Sequence, residues 1–128
     1  MSPNAPGAVP DEERAVIYKI VADTVWREAA AAGRFAGAGV DLADGFIHFS
    51  TAAQVCDTAA KHFTGQTGLL LVAVDAPALG PALRWEPSRG GDLFPHLYED
   101  LPMRAVQWAV PLPVGVDGRH AFPAPLGL

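Results

Sequence analysis

Four short stretches carry the side chains whose chemistry could matter. VIYKI holds Tyr18 and Lys19, and FIHFS holds His48 and Ser50. LRWEP holds Arg84 and Glu86, with Arg89 just beyond it, and FPHLY holds Phe94, His96 and Tyr98. A histidine titrates near neutral pH and can act as acid or base. A carboxylate beside it can stabilise developing positive charge, and Arg or Lys can neutralise an anionic ligand. Side chains alternate between the two faces of a strand. Extended, His48 and Ser50 share a face, Arg84 and Glu86 share a face, and His96 and Tyr98 share a face. Adjacent strands would bring these residues within hydrogen-bonding range. The pattern equally fits the watered face of an antiparallel sheet. Glu86 would then be a surface acid paired with Arg84 or Arg89, and Ser50 a helix cap.

Other chemistries find less support. His48, Glu86 and His96 could be drawn as a two-histidine, one-carboxylate metal site. There is no HxxxH or HExxH spacing and no cysteine pair, so no metal is expected. GRFAGAG matches neither phosphate-loop pattern, and no GxSxG elbow marks a serine nucleophile. Cys56 reads as a small buried hydrophobe beside Val55 and Ala59.

The elements that must position these residues follow from periodicity. VIYKI is the first strand. Asp23 or Thr24 caps a helix through TVWREAAAA, which Gly33 ends. RFAGAGVDLADG is a loop closing on an Asp44-Gly45 turn. FIHFS is a strand, and Thr51 with Gln54 makes a capping box for a second helix that Gly65 ends. LLLVAVD is a strand buried on both faces. Pro77 to Ala82 form a turn or short helix, and LRWEP is a short strand. GDLFPHLYEDL, residues 91–101, reads as a cleft-wall loop. Gly90, Gly91 and Pro95 shape it, Leu93, Leu97 and Leu101 anchor it, and His96 points inward. AVQWAVPL is a last strand. Helices in the first half and strands in the second predict an α+β fold with a mixed or antiparallel sheet.

The chain has 128 residues, half of them hydrophobic, enough for one core. One domain is expected over 15–122, with a flexible tail at 1–14 and another at 123–128. A net charge of −5 argues against broad binding to nucleic acid or anionic membrane, which needs an excess of Lys and Arg. Local arginines near one carboxylate suit a small anionic ligand better. MSPNAPGAVPDEER has no basic region leading into an apolar one, so a signal peptide is not expected. No apolar run reaches about 20 residues. A single cysteine fits a reducing compartment, and a cytoplasmic location is expected.

IYKI, DLADGFIHFSTAAQV, LRWEP and FPHLYEDLP, in that order, resemble the small bacterial family labelled "domain of unknown function 952". The resemblance runs from about Val16 to about Pro113. That family is similar in proposed fold to the ADP-ribosyltransferases. The resemblance implies an ADP-ribosyltransferase-like split β-sheet with two short helices in the first half and NAD as co-substrate in the cleft. Carried over by position, it points to Tyr18 and Lys19 on the first strand, His48 and Ser50 on the second, and Glu86 on a later one. Lys19 stands where His or Arg is usual, and His48 near the usual Tyr. On this reading Glu86, His48 and His96 are catalytic. Tyr18, Lys19, Ser50, Arg84, Arg89, Phe94 and Tyr98 hold the ligand. The implied activity is ADP-ribosyl transfer or cleavage of the glycosidic bond of NAD. Two alternatives stay open. One is a non-catalytic module for a nucleotide or small metabolite. The other is an interaction domain using the Phe94–Tyr98 loop.

Overall fold

The computed structural model describes residue 9 and residues 11–123, without the side chains of Glu13 and Arg89. The elements in chain order are α1 (Asp11–Ala15), β1 (Val16–Ala22), α2 (Asp23–Ala32), β2 (Arg34–Phe35), α3 (Val40–Asp44) and β3 (Ile47–His48). They continue with α4 (Ala52–His62), β4 (Leu69–Asp75), β5 (Leu83–Pro87), β6 (Leu93–Leu97), β7 (Leu101–Pro102) and β8 (Val106–Pro111).

Two three-stranded sheets carry the fold, in the orders β1-β4-β8 and β3-β6-β5. Every named strand pair is antiparallel, including the small β2-β7 pair. The fold is therefore α+β, with antiparallel sheets and several helices. β4 is the unbroken apolar run, and its central position explains that composition. Val72 and Val74 face a core shared with Ile17, Val21, Trp26, Phe35 and Leu97. Leu71 and Ala73 face the other core, built with Tyr18, Ile20, Val55 and Ala59 under α4. A strand with a core on each face cannot alternate apolar with polar.

Among the described residues the two sheets share a core and are joined by one backbone bridge. Tyr18 and Ser50 exchange backbone hydrogen bonds of 2.8 and 2.9 Å, an isolated bridge between β1 and the segment after β3. Pro95 accounts for the seam. His48 pairs with His96, so Phe49 comes opposite Pro95. The Phe49 N–H reaches the Pro95 carbonyl at 3.0 Å. Proline has no N–H to return the bond, so the ladder fails there. The chain then turns its other edge to β1. The cleft described below lies along this seam.

Several expectations need correction. Residues 91–101 are not a loop: Leu93–Leu97 form β6, the central strand of its sheet. Its glycines do shape the preceding turn, where Gly90 and Gly91 have φ of 66° and 85°. FIHFS is regular strand only at Ile47–His48, because the sheet parts immediately after. The first half holds more than two helices. α3 falls within the expected loop, and α1 overlaps the end of the expected tail. α1 is fastened by Arg14, whose Nε donates to the Val9 carbonyl at 3.0 Å and whose guanidinium lies 5.1 Å over the Trp85 ring. The rest of the expected tails, 1–8, 10 and 124–128, lies outside the described residues. α2 begins at Asp23 with Ala22 at the cap position and no side-chain cap, so neither Asp23 nor Thr24 caps it. Asp23 instead pairs with Arg27 one turn on, at 2.8 Å. α4 ends at His62, before Gly65.

Leu71 has no exposed surface in the centre of β4. Leu71→Ala should cost about 2–5 kcal/mol by lost transfer energy and a cavity. Urea unfolding with an unchanged slope checks this. A loss under about 1 kcal/mol would show that β4 does not join the two cores.

Candidate functional site

Lys19 lies in an otherwise apolar strand, its side chain 10% exposed. A buried ammonium needs a counter-charge. Asp41, from the first turn of α3, supplies it at 2.8 Å. The Lys19 ammonium also donates to the His48 carbonyl at 2.9 Å. The Asp41 carboxylate is 2% exposed and collects three further donors. They are the Ala38 N–H at 3.1 Å, the His48 N–H at 3.0 Å and the His48 Nδ1 at 2.7 Å. Burial alone would raise the Asp41 pKa. The hydrogen bonds from His48 and the charge of Lys19 outweigh burial and hold it at about 2. Burial pushes Lys19 below its ordinary value, against the Asp41 charge. Gly37 makes room for this: a Cβ there, at φ +111°, would lie 2.9 Å from the Asp41 Cβ.

His48 Nε2 lies 3.0 Å from Asp44 Oδ2. Both ring nitrogens thus face carboxylate oxygens. His96, its cross-strand neighbour, is placed differently. It is 6% exposed, and its Nδ1 lies 2.8 Å from Glu86 Oε1. Burial lowers its pKa below the usual 6.5, with the Glu86 hydrogen bond opposing. A neutral ring donates through Nδ1 to the carboxylate and turns a basic Nε2 away from it. Glu86 also accepts from the Tyr98 hydroxyl at 2.7 Å. The Tyr98 and His96 hydrogen bonds lower its pKa. Phe46 lies against the site, its ring 4.5 Å from His48, 4.3 Å from His96 and 5.1 Å from Tyr98.

A cleft of about 560 Å³ opens beside these residues, between β1, the start of α3 and α4. Its walls are mainly apolar, with Ile20, Phe49, Val55 and Phe94 among them. Lys19, His48, Ser50 and His96 supply polar groups. Of the residues picked out from the sequence, Tyr18, Lys19, His48, Ser50, Phe94 and His96 line this cleft. Glu86, Arg84 and Tyr98 do not line it. Glu86 stands behind His96, and the Arg84 guanidinium lies 4.8 Å over the Tyr98 ring. Lys19 is committed to Asp41, and the Ser50 hydroxyl lies 2.9 Å from that of Thr58. The Arg89 side chain lies outside the described ones. Of the Phe94–Tyr98 segment only Tyr98 is exposed, at 40%, while Phe94 is 7% exposed and Leu97 is fully buried. Among the described residues, no group of three or more His, Cys, Asp or Glu is arranged to hold a metal ion. Nor is any helix long and apolar enough to cross a membrane.

Asp41, Asp44 and Phe46 escaped the sequence reading. The signal for Asp41 was indirect: a lysine inside VIYKI required a carboxylate from elsewhere.

Residues 20–109 match the family described as "Protein of unknown function (DUF952)". The chain belongs to this DUF952 family. The crystal structure of protein CC0527 from Caulobacter crescentus has the same fold. It is 49% identical, with a TM-score of 0.83, covering 88% of this chain and 99% of that one. The solution NMR structure of CC0527 is 51% identical with a TM-score of 0.74, covering 81% and 90%. No curated protein matches the chain. Within this DUF952 protein, the paired histidines and their carboxylates make the most chemically distinctive cluster.

Asp41→Asn should destabilise the protein by about 3–5 kcal/mol at neutral pH, because it strands a buried ammonium. The acid limb follows from the depressed pKa. The stabilisation is complete above the unfolded value near 3.8 and is lost as pH falls toward 2. The shift corresponds to about 2 kcal/mol. Urea midpoints from pH 7 to pH 2 check both, and the Asp41→Asn variant should lack this part of the acid loss.

Proposed function

We propose that the protein is an acid–base enzyme acting on a small nucleotide in the cleft. In this reading the fold is ADP-ribosyltransferase-like. The reaction is cleavage of the nicotinamide–ribose bond of NAD, or transfer of its ADP-ribosyl group to an acceptor. The observation that carries it is His96, a buried histidine with Nδ1 tied to Glu86 and its ring on the cleft wall. The size and apolar walls of the cleft suit a ring-bearing small molecule.

The chain's part in the reaction is proton handling. A water or acceptor hydroxyl attacks the anomeric carbon. A carbon–oxygen bond forms, the carbon–nitrogen bond breaks, and nicotinamide leaves as a neutral amide. His96 Nε2 takes the proton of the incoming hydroxyl. Glu86 then faces an imidazolium and stabilises it through Nδ1. This places Glu86 as a positioning residue acting through His96, rather than as a direct contact to ribose. Phe94 and Tyr18 in the lining offer aromatic surface to the ring. The ligand's diphosphate finds less: Lys19 is neutralised by Asp41, and Arg84 is stacked on Tyr98.

That last observation favours a second reading, a module that binds a nucleotide or other small metabolite without turning it over. Nicotinamide release from NAD separates the two. His96→Ala should lower the rate about 10²–10⁴-fold, and Glu86→Gln should lower it less. Wild-type activity should fall as pH drops through the His96 pKa, below 6.5, because the base is then protonated. Binding of NAD with no release, or equal release by wild type and His96→Ala, sinks the catalytic reading.

A further inference from the structure

The cleft holds a third histidine that the proposed chemistry leaves unused. His62 sits in the last turn of α4, exposed to solvent, and lines the cleft. Among the described residues, every other basic side chain on that lining is matched by a carboxylate: Lys19 by Asp41, His48 by Asp41 and Asp44, His96 by Glu86. The His62 ring has no such partner among the described residues. Its neighbour Lys61 is paired with Asp57 at 3.3 Å.

This distribution gives the cleft a direction. The buried part is walled by Ile20, Val55 and Phe94, and its cations are already balanced. A phosphate placed there would lose its hydration without gaining a free cation. The exposed rim differs, with the unpartnered imidazole of His62 and the hydroxyl of Ser88. An imidazole N–H donates to a phosphate oxygen in either protonation state, and hydrogen bonds to ionised acceptors are about twice as strong as neutral ones.

We infer that a nucleotide enters ring and sugar first and leaves its phosphate at the mouth, on His62. His62 is thus a specificity residue that separates nucleotides from their phosphate-free nucleosides. The inference rests on the nucleotide reading of the cleft and adds the orientation of the ligand and the group that reads its charge.

The test is calorimetric titration with nicotinamide mononucleotide and nicotinamide riboside, which differ only by the phosphate. Wild type should bind the mononucleotide about tenfold tighter, one charge-assisted hydrogen bond's worth. His62→Ala should abolish that preference while leaving riboside affinity and the thermal midpoint unchanged. Equal affinities in wild type, a preference that survives His62→Ala, or an equal loss for both compounds overturns this inference alone. No binding of either compound to wild type overturns the nucleotide reading, and this orientation with it.

Discussion

The carboxylate of Asp41 is the interaction on which the site depends. It joins three elements that share no strand pairing: β1 through Lys19, the turn into α3 through Ala38, and β3 through both the backbone and the ring of His48. A five-residue helix has little stability of its own. α3 is held where it is because its aspartate is the only counter-charge that β1 and β3 share among the described residues. Gly37 is the steric condition for that arrangement, and its positive φ is how the chain meets it.

Two histidines, neighbours across two strands, lie in different electrostatic surroundings. His48 lies between two carboxylates, while His96 is buried against one, and burial lowers its pKa. The difference comes from which element supplies the acid. α3 brings two acids to His48, and β5 brings one to His96.

Much of this was legible beforehand. LLLVAVD and LRWEP are strands with the expected ends, and Thr51 with Gln54 does cap α4. Strand alternation turned His48 and Glu86 away from the expected core, and His96 was expected to point inward from a loop. The cluster's completion was not legible. α3 has no periodic pattern, and its position follows from an ion pair between residues 22 apart in sequence. Residues 91–101 read as a loop because glycine and proline mark turns. Pro95 is tolerated inside β6 because the neighbouring strand leaves at that residue, which no local window reveals. That Glu86 stands behind His96 rather than on the cleft was equally out of reach, since alternation assigns faces and not depth.

The missing amide of Pro95 also has a mechanical consequence. Around the cleft the two sheets are stitched by the Tyr18–Ser50 bridge and by the Asp41 cluster, with no continuous ladder between them. Along the cleft the spacing of the two sheets is therefore set by side chains, through the core that Ile17 and Val72 share with Ile47 and Leu97 and through the Asp41 ion pair, rather than by backbone pairing.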